Sequence, residues 1–188
     1  MLQRIVLAKQ HLGGTIEELT EAEQTVADGK HARRPYVLLA QHTLFDDTRA
    51  PEGKHTVWAY CHVPNGSTID VGSTIISQIE RFAPGFSDTI IARRTSLPAD
   101  LEHGNANLVG GDVGGGSYAN HRAIFRPAVK ANPYMTDVDR FYIGSASASP
   151  GAGVHGMSGH LAALTALKRL EEELDDGTAV TPAVGGDH

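Results

Sequence analysis

The residues with the clearest chemical potential form a glycine-rich turn that leads into a long amphipathic helix late in the chain. Gly151, Gly153 and Gly156 match the spacing G-x-G-x-x-G, and the preceding residues 141–145 have the pattern of a short strand. The first N–H groups of a helix lack partners within it, and its dipole is positive at that end. A turn without side chains there suits an anion or a polar ligand. Close packing of helix against strand through small residues is the alternative explanation.

This glycine turn differs from the fingerprint of a complete dinucleotide-binding unit. In that unit the first glycine follows the strand directly, and a second strand ending in an acidic residue follows the helix. Here residues 146–150 intervene, and Glu171 to Glu173 fall inside the predicted helix 154–174. The sequence therefore predicts a glycine-lined helix start without a βαβ unit around it.

The spacing of residues gives little support for a zinc site, a serine nucleophile or a P-loop. Ten histidines suggest zinc, but the chain has a single cysteine, Cys61, and neither H-E-x-x-H nor C-x-x-C. The serines near the turn lack the G-x-S-x-G pattern of a nucleophile elbow. A second glycine-rich stretch, 110–116, lacks the Lys-Ser/Thr ending of a P-loop, and we expect either a backbone contact with a ligand or a flexible loop. We therefore predict no metal site and assign no catalytic residue.

Single histidines and one arginine remain as weaker candidates. His155 adjoins the glycine turn and is the histidine with the best case for touching a ligand; the alternative is a polar residue at a helix start. His42, His55 and His62 lie on or near predicted strands, where they line a cavity or are polar residues of a strand face. Arg126, beyond the glycine-rich stretch, is expected to anchor an ion pair rather than to act in catalysis.

Composition narrows the class of protein. The chain has 188 residues, 40% of them hydrophobic and 20% charged, with a net charge of -6. The absence of a basic stripe argues against a nucleic-acid partner. Apolar runs are too short for a transmembrane helix, and the single cysteine fits a reducing compartment. We therefore expect a cytoplasmic protein with neither a transmembrane segment nor a nucleic-acid partner.

The elements that must position the turn indicate an α+β fold. Strands are predicted at 35–41, 55–63, 89–95 and 141–145. Helices are predicted after the capping box that Thr15 and Glu18 form, after Ser67, near Pro98 and at 154–174. Met157, Leu161, Leu164 and Leu167 form the apolar face of the last helix.

The glycine turn also carries a resemblance to a known family. Residues 144–147 (GSAS), 150–156 (PGAGVHG) and 159–163 (GHLAA) resemble the C-terminal flavin motif of phytoene dehydrogenase-related FAD-dependent oxidoreductases, which include carotenoid desaturases and retinoid saturases. Residues 11–15, 48–56, 58–64, 78–86 and 110–112 resemble the substrate-domain half of the pyridine nucleotide-disulphide oxidoreductase domain-containing protein 2 group. Ala152 departs from the pattern by replacing a usual glycine, and His160 by replacing a common aromatic.

The resemblance implies a fold and its division. It implies an α+β fold with the mixed or antiparallel sheet of a substrate domain and its helices, plus the C-terminal strand–helix unit of a FAD-binding fold. Residues 1–125 would then be substrate-domain-like, 126–174 the C-terminal FAD-binding segment and 175–188 a disordered tail. The N-terminal Rossmann unit that binds the ADP half of FAD in the family has no counterpart here, so the chain resembles the C-terminal part only.

The resemblance further implies FAD as cofactor and hydride transfer between flavin and an apolar, isoprenoid- or lipid-like substrate. The residues expected to contact FAD are Gly144, Ser145, Pro150, Gly151, Ala152, Gly153, Val154, His155 and Gly156. An N-terminal half supplied in trans, or a homo-oligomer, is the expected partner, and the chain alone is expected to be inactive. The alternative is a non-catalytic truncated remnant that acts as a protein-interaction module.

Overall fold

The computed structural model describes residues 9–116 and 125–176, and the chain divides into two compact units. Unit 1 is Met1–Gly111 and unit 2 is Asp112–His188. A three-stranded antiparallel sheet and four α-helices in the described residues confirm the α+β architecture. The regions 1–125, 126–174 and 175–188 stay predictions, since compactness does not show what a unit does; residues 177–188 lie outside the described part.

The sheet of unit 1 is formed by β1 (Lys9–Leu12), β2 (Val37–Ala40) and β3 (Trp58–Cys61), with β2 in the centre. Both pairs are antiparallel, and the register aligns Leu12 with Val37 and Val37 with Cys61. Because side chains alternate between the faces of a strand, these three residues share one face. That face supplies the core of unit 1.

Helix α2 (Gly72–Phe82) covers this face of the sheet. Its Ile79 packs with Leu12, Val37 and Leu39 in a buried cluster, as expected for the apolar side of an amphipathic helix. The helix begins later than predicted, at Gly72. The Asp70 carboxylate accepts the Gly72 N–H at 2.7 Å, which is the arrangement of a turn that precedes a helix.

Helix α1 (Ile16–Ala27) begins at the predicted cap. The Thr15 hydroxyl accepts the Glu18 N–H at 3.3 Å. The Glu18 carboxylate, expected to reach back to residue 15, instead accepts from Arg34 at 2.6 Å and from Arg81 of α2 at 3.0 Å. The capping position is therefore confirmed, and the acidic residue joins α1 to α2.

The other helix of unit 1, α3 (Pro98–Gly104), starts with proline in the first turn as predicted. The strand predicted at 89–95 is wrong, because a single-turn helix at Ser87–Thr89 leads into irregular chain. Ile91 is exposed rather than paired. A short run of β-branched residues forms a strand only where a neighbouring strand accepts its backbone hydrogen bonds.

In unit 2 the predicted long helix is α4 (Met157–Asp175). The strand predicted at 141–145 is reduced to one isolated antiparallel bridge between Met135 and Tyr142. The N–H of Ile143 donates to the carbonyl oxygen of Tyr134 at 2.8 Å, and little further pairing follows. The segment that leads into the glycine turn is therefore a short hairpin-like contact instead of a full strand.

Candidate functional site

The predicted contact residues occupy one continuous stretch of unit 2, from the bridge to the first residues of α4. The exposed members are Gly144, Ser145, Pro150, Ala152, Gly153, Val154, His155 and Gly156. Gly151 is buried. The stretch thus presents mainly main chain and small side chains to its surroundings.

Two glycines are required by the backbone conformation of this turn. Gly151 has φ 101° and Gly156, the N-cap of α4, has φ 64°. A side chain in that region costs roughly 1–2 kcal/mol. Ala152, which replaces a glycine in the family pattern, is absent from the positive-φ positions of the described residues, so the replacement strains nothing.

The imidazole of His155 caps the start of α4. Its Nδ1 accepts the N–H of Met157 at 3.0 Å. The ring also lies over Gly153, where an added Cβ would come within 2.6 Å of the imidazole Cδ2. Among the described residues the N–H groups of Ser158 and Gly159 have no backbone hydrogen bond to a carbonyl outside the helix, as is usual in the first turn of a helix.

Small residues on the inner side of the turn serve packing. A Cβ on Gly144 would lie 3.1 Å from the Cα of Gly159, so the backbone of the turn meets the helix directly. The Ser158 hydroxyl is directed at the carbonyl oxygens of Ala148 and Ser149, at 3.3 and 3.2 Å. The packing explanation therefore holds for Gly144 and Gly159, while Gly151 and Gly156 serve the conformation of the turn.

The second glycine-rich stretch divides between the two units. In unit 1, Gly110 accepts the N–H of Gly66 at 2.9 Å. In unit 2, the Asp112 carboxylate accepts the N–H of Gly114 at 2.7 Å and of Gly116 at 2.8 Å. These two N–H groups are already used within the loop, so the loop is not an open cradle for phosphate.

Unit 1 carries a row of rings that the sequence analysis did not assemble as a group. His11, Tyr36, His62, Tyr60 and Trp58 follow one another with ring centroids 5.2–6.0 Å apart. His62 also pairs through Nδ1 with the Glu23 carboxylate at 2.8 Å. Alternation in residues 55–63 places Trp58, Tyr60 and His62 on one face, but only the strand register brings His11 and Tyr36 beside them.

The surroundings of Tyr36 and Cys61 in unit 1 raise the pKa values of both groups. Burial, with the nearby Tyr60 and Glu23 charges, raises the pKa of Tyr36. Partial burial against the core, with the Glu23 charge, raises the pKa of Cys61 to about 11, so the thiol is protonated near neutral pH.

The described residues hold neither a candidate metal site nor a candidate membrane-spanning helix. No group of three or more His, Cys, Asp or Glu side chains there is arranged to hold a metal ion. No helix in the described ranges has both the length and the apolar character needed to cross a membrane.

Comparisons with known proteins relate the chain to oxidoreductases. No protein-family model matches it. The chain is similar to pyridine nucleotide-disulfide oxidoreductase domain-containing protein 2 of Rattus norvegicus, with 28% identity over 165 residues, or 81% of this chain. The Mus musculus relative is 27% identical over the same length. A 4,4'-diapolycopen-4-al dehydrogenase of Metabacillus indicus is 29% identical over 153 residues, or 78% of this chain.

The matched span is a minor part of these relatives. The chain spans about 28% of the length of each curated relative named above. The similarity therefore supports a relationship to oxidoreductase-like proteins, through one part of their length.

Proposed function

We propose that the chain is the C-terminal part of a FAD-dependent oxidoreductase that transfers hydride between flavin and an apolar, isoprenoid- or lipid-like substrate. The observation that carries the proposal is the glycine turn 151–156 at the positive end of α4, which is exposed at every position except Gly151. The similarity to two proteins named for an oxidoreductase domain and to one named as a dehydrogenase supports it.

The turn suits a flavin by its shape and charge. Gly144, Ser145 and 150–156 would hold the cofactor through main-chain groups, since few side chains stand in the way. When bound, flavin supplies the hydride chemistry, and the protein supplies orientation and electrostatics. The dipole of α4 and the N–H groups of Ser158 and Gly159 would stabilise negative charge placed at the turn. No acid or base is assigned a catalytic role.

A partner in trans is part of the proposal. A binding unit for the ADP half would come from an N-terminal half-protein, or from a homo-oligomer, and the chain alone would be inactive. The leucines on the exposed side of α4 support this, because large apolar side chains in water favour association. The cytoplasm is the proposed location, in keeping with the free, half-buried Cys61.

The test is flavin binding by visible absorption, for the chain alone and with a candidate N-terminal half. We expect a bound-flavin band in the complex, weakened by Gly156→Ala. Gly29→Ala is the matched control, since both glycines have positive φ and no neighbouring atom where a Cβ would stand. The control should lose similar stability without losing flavin. A complex without a flavin band would exclude the enzyme proposal.

The non-catalytic alternative rests on the same exposed leucines. A truncated remnant would use them as a protein-interaction surface without a cofactor. Light scattering with and without FAD separates the two: stable association that ignores FAD favours the interaction module, and association that depends on FAD favours the enzyme.

A further inference from the structure

Arg126 is a buried arginine whose hydrogen bonds join separate parts of unit 2. Its side chain is only 2% exposed. The guanidinium donates from Nη1 to the carbonyl of Gly116 at 2.9 Å and from Nη2 to that of Gly114 at 2.6 Å. Nη2 also donates to the carbonyl of Ala146 at 3.3 Å. A buried charge is tolerated where hydrogen bonds compensate its desolvation. The same hydrogen bonds restrain the positions of the three carbonyl groups.

The glycine loop 112–116 is held from both sides of its backbone. Its carbonyl groups at Gly114 and Gly116 accept from Arg126, while the N–H groups of the same two residues donate to Asp112. The loop is thus folded around one acidic and one basic side chain.

The loop also packs on the residues that precede the glycine turn. Gly115 has φ 70°, and a Cβ there would lie 2.9 Å from the Cα of Ser147. Ser147 belongs to a tight turn in which the N–H of Ala148 donates to the carbonyl of Ser145 at 3.0 Å. Gly151 continues it by donating its N–H to Ala148 at 2.9 Å. A chain of contacts therefore runs from Arg126 to the start of the glycine turn.

We propose that Arg126 is a positioning residue that holds turn 145–148, and through it the glycine turn, in its binding shape before any ligand arrives. Only a planar fork of donors can reach the carbonyls of Gly114, Gly116 and Ala146 together. Lysine has the same charge but is a compact point donor. That Arg126 holds the turn, the geometric part of the proposal, depends only on contacts within unit 2. That this strengthens the binding of a flavin rests on the proposed function.

Hydrogen exchange of the full chain tests the geometric part. In Arg126→Lys we expect the N–H groups of Ala148 and Gly151 to exchange roughly tenfold faster or more, since a bond to a charged group contributes about 1.5–3 kcal/mol. The amides of α4 should be unchanged. Arg140→Lys is the control, because this exposed arginine of the same unit bonds to Glu173 instead. Unchanged exchange at Ala148, or uniform acceleration through α4, would overturn the proposal.

A second variant, Asp112→Asn, tests the hydrogen bonds from the N–H groups of the loop 112–116. Asp112→Asn weakens the acceptor for Gly114 and Gly116 while keeping its size. Faster exchange at those two residues, with a smaller effect at Ala148, is expected if the loop transmits the restraint. Faster exchange at Ala148 in Asp112→Asn than in Arg126→Lys would overturn the assignment to arginine.

Flavin titration then tests the link to the ligand. For the complex with an N-terminal half, Arg126→Lys should weaken FAD binding by about tenfold when measured well below the melting temperature of the variant, and Arg140→Lys should leave it within about twofold. Unaltered FAD affinity in Arg126→Lys would overturn the link. A wild-type complex that binds no FAD would sink the proposed function, while the exchange experiment still decides the geometric part.

Discussion

Units 1 and 2 bury different kinds of side chain. Unit 1 encloses Leu12, Val37, Leu39 and Ile79 between its sheet and α2. The residues buried in the described part of unit 2 are small or polar: Arg126, Ala148, Gly151, Ser158 and Ala162. A large apolar side chain contributes about 1.5–3 kcal/mol when it is buried. Unit 1 therefore has a hydrophobic core, whereas the described part of unit 2 depends on close backbone packing and hydrogen bonds.

The large apolar side chains of α4 lie on its other side. Ser158, Ala162 and Thr165 are turned toward the rest of unit 2. Four leucines remain about half exposed: Leu164 at 48%, Leu167 at 56%, Leu170 at 50% and Leu174 at 57%. Two members of the predicted apolar face, Leu164 and Leu167, are among these leucines, so the described residues leave that face largely uncovered. The difference between the units favours a partner that covers α4.

The largest expected effect is a cavity in the core of unit 1. Ile79→Ala should lower the free energy of unfolding by about 2–5 kcal/mol, because it removes a side chain that is 2% exposed. Chemical denaturation followed by the fluorescence of Trp58, the single tryptophan, measures it. Ile91→Ala, at a position 77% exposed, is the control and should stay within about 0.5 kcal/mol of wild type. Equal losses of stability in Ile79→Ala and Ile91→Ala would show that unit 1 does not depend on this hydrophobic core.

The next effect concerns backbone packing in unit 2. Gly144→Ala should cost about 1–3 kcal/mol, because its Cβ would press on the backbone of Gly159 at 3.1 Å. Calorimetry and the hydrogen exchange of α4 amides report it. Gly104→Ala, at the end of α3 with open space around it, should cost nothing. If Gly144→Ala is also harmless, unit 2 is not held by close backbone contact.

A smaller, pH-dependent effect is expected at Glu18. Hydrogen bonds from Arg81 and then Arg34 lower the pKa of this carboxyl group. A lowered pKa in the folded state means that the contribution is present above the unfolded-state pKa and is lost as pH falls through the folded one. The melting temperature of wild type should exceed that of Glu18→Gln near pH 7, and the gap should close toward about pH 3.

The control for this prediction is Glu52→Gln, an exposed glutamate in the turn before β3. A gap for Glu18→Gln that widens on acidification would show that the sign is wrong. A gap that does not exceed that of the control near pH 7 would show that the ion pairs joining α1 to α2 add nothing to unit 1.

The sequence predicted local features and missed those that depend on distant residues. The cap at Thr15, the proline start of α3 and the existence of α4 follow from neighbouring residues, and all three were confirmed. The strand at 89–95 was wrong and the strand at 141–145 is only a single bridge, because the length of a strand depends on a partner that no local pattern supplies.

In the candidate site too, local features could be predicted from the sequence and contacts between distant residues could not. The glycines of the turn stand out in the sequence, and their contact with a cofactor stays a prediction. The hydrogen bonds of Arg126 to three carbonyl groups could not be foreseen, because they join residues as far apart as 126 and 146. The cap that His155 places on Met157 is a local contact, but an exposed histidine in a glycine turn has several rotamers.

The smallest expected effect is at the exposed face of α4. In the isolated chain, Leu167→Gln should change the free energy of unfolding by less than about 0.5 kcal/mol, because the side chain is already 56% exposed. Ala162→Gln is the matched comparison on the buried side of the same helix and should destabilise it clearly. Denaturation of each variant measures both. A loss above about 1.5 kcal/mol for Leu167→Gln would mean that this chain already covers the leucines. In that case unit 2 has a core of its own, and the argument for a partner on α4 fails.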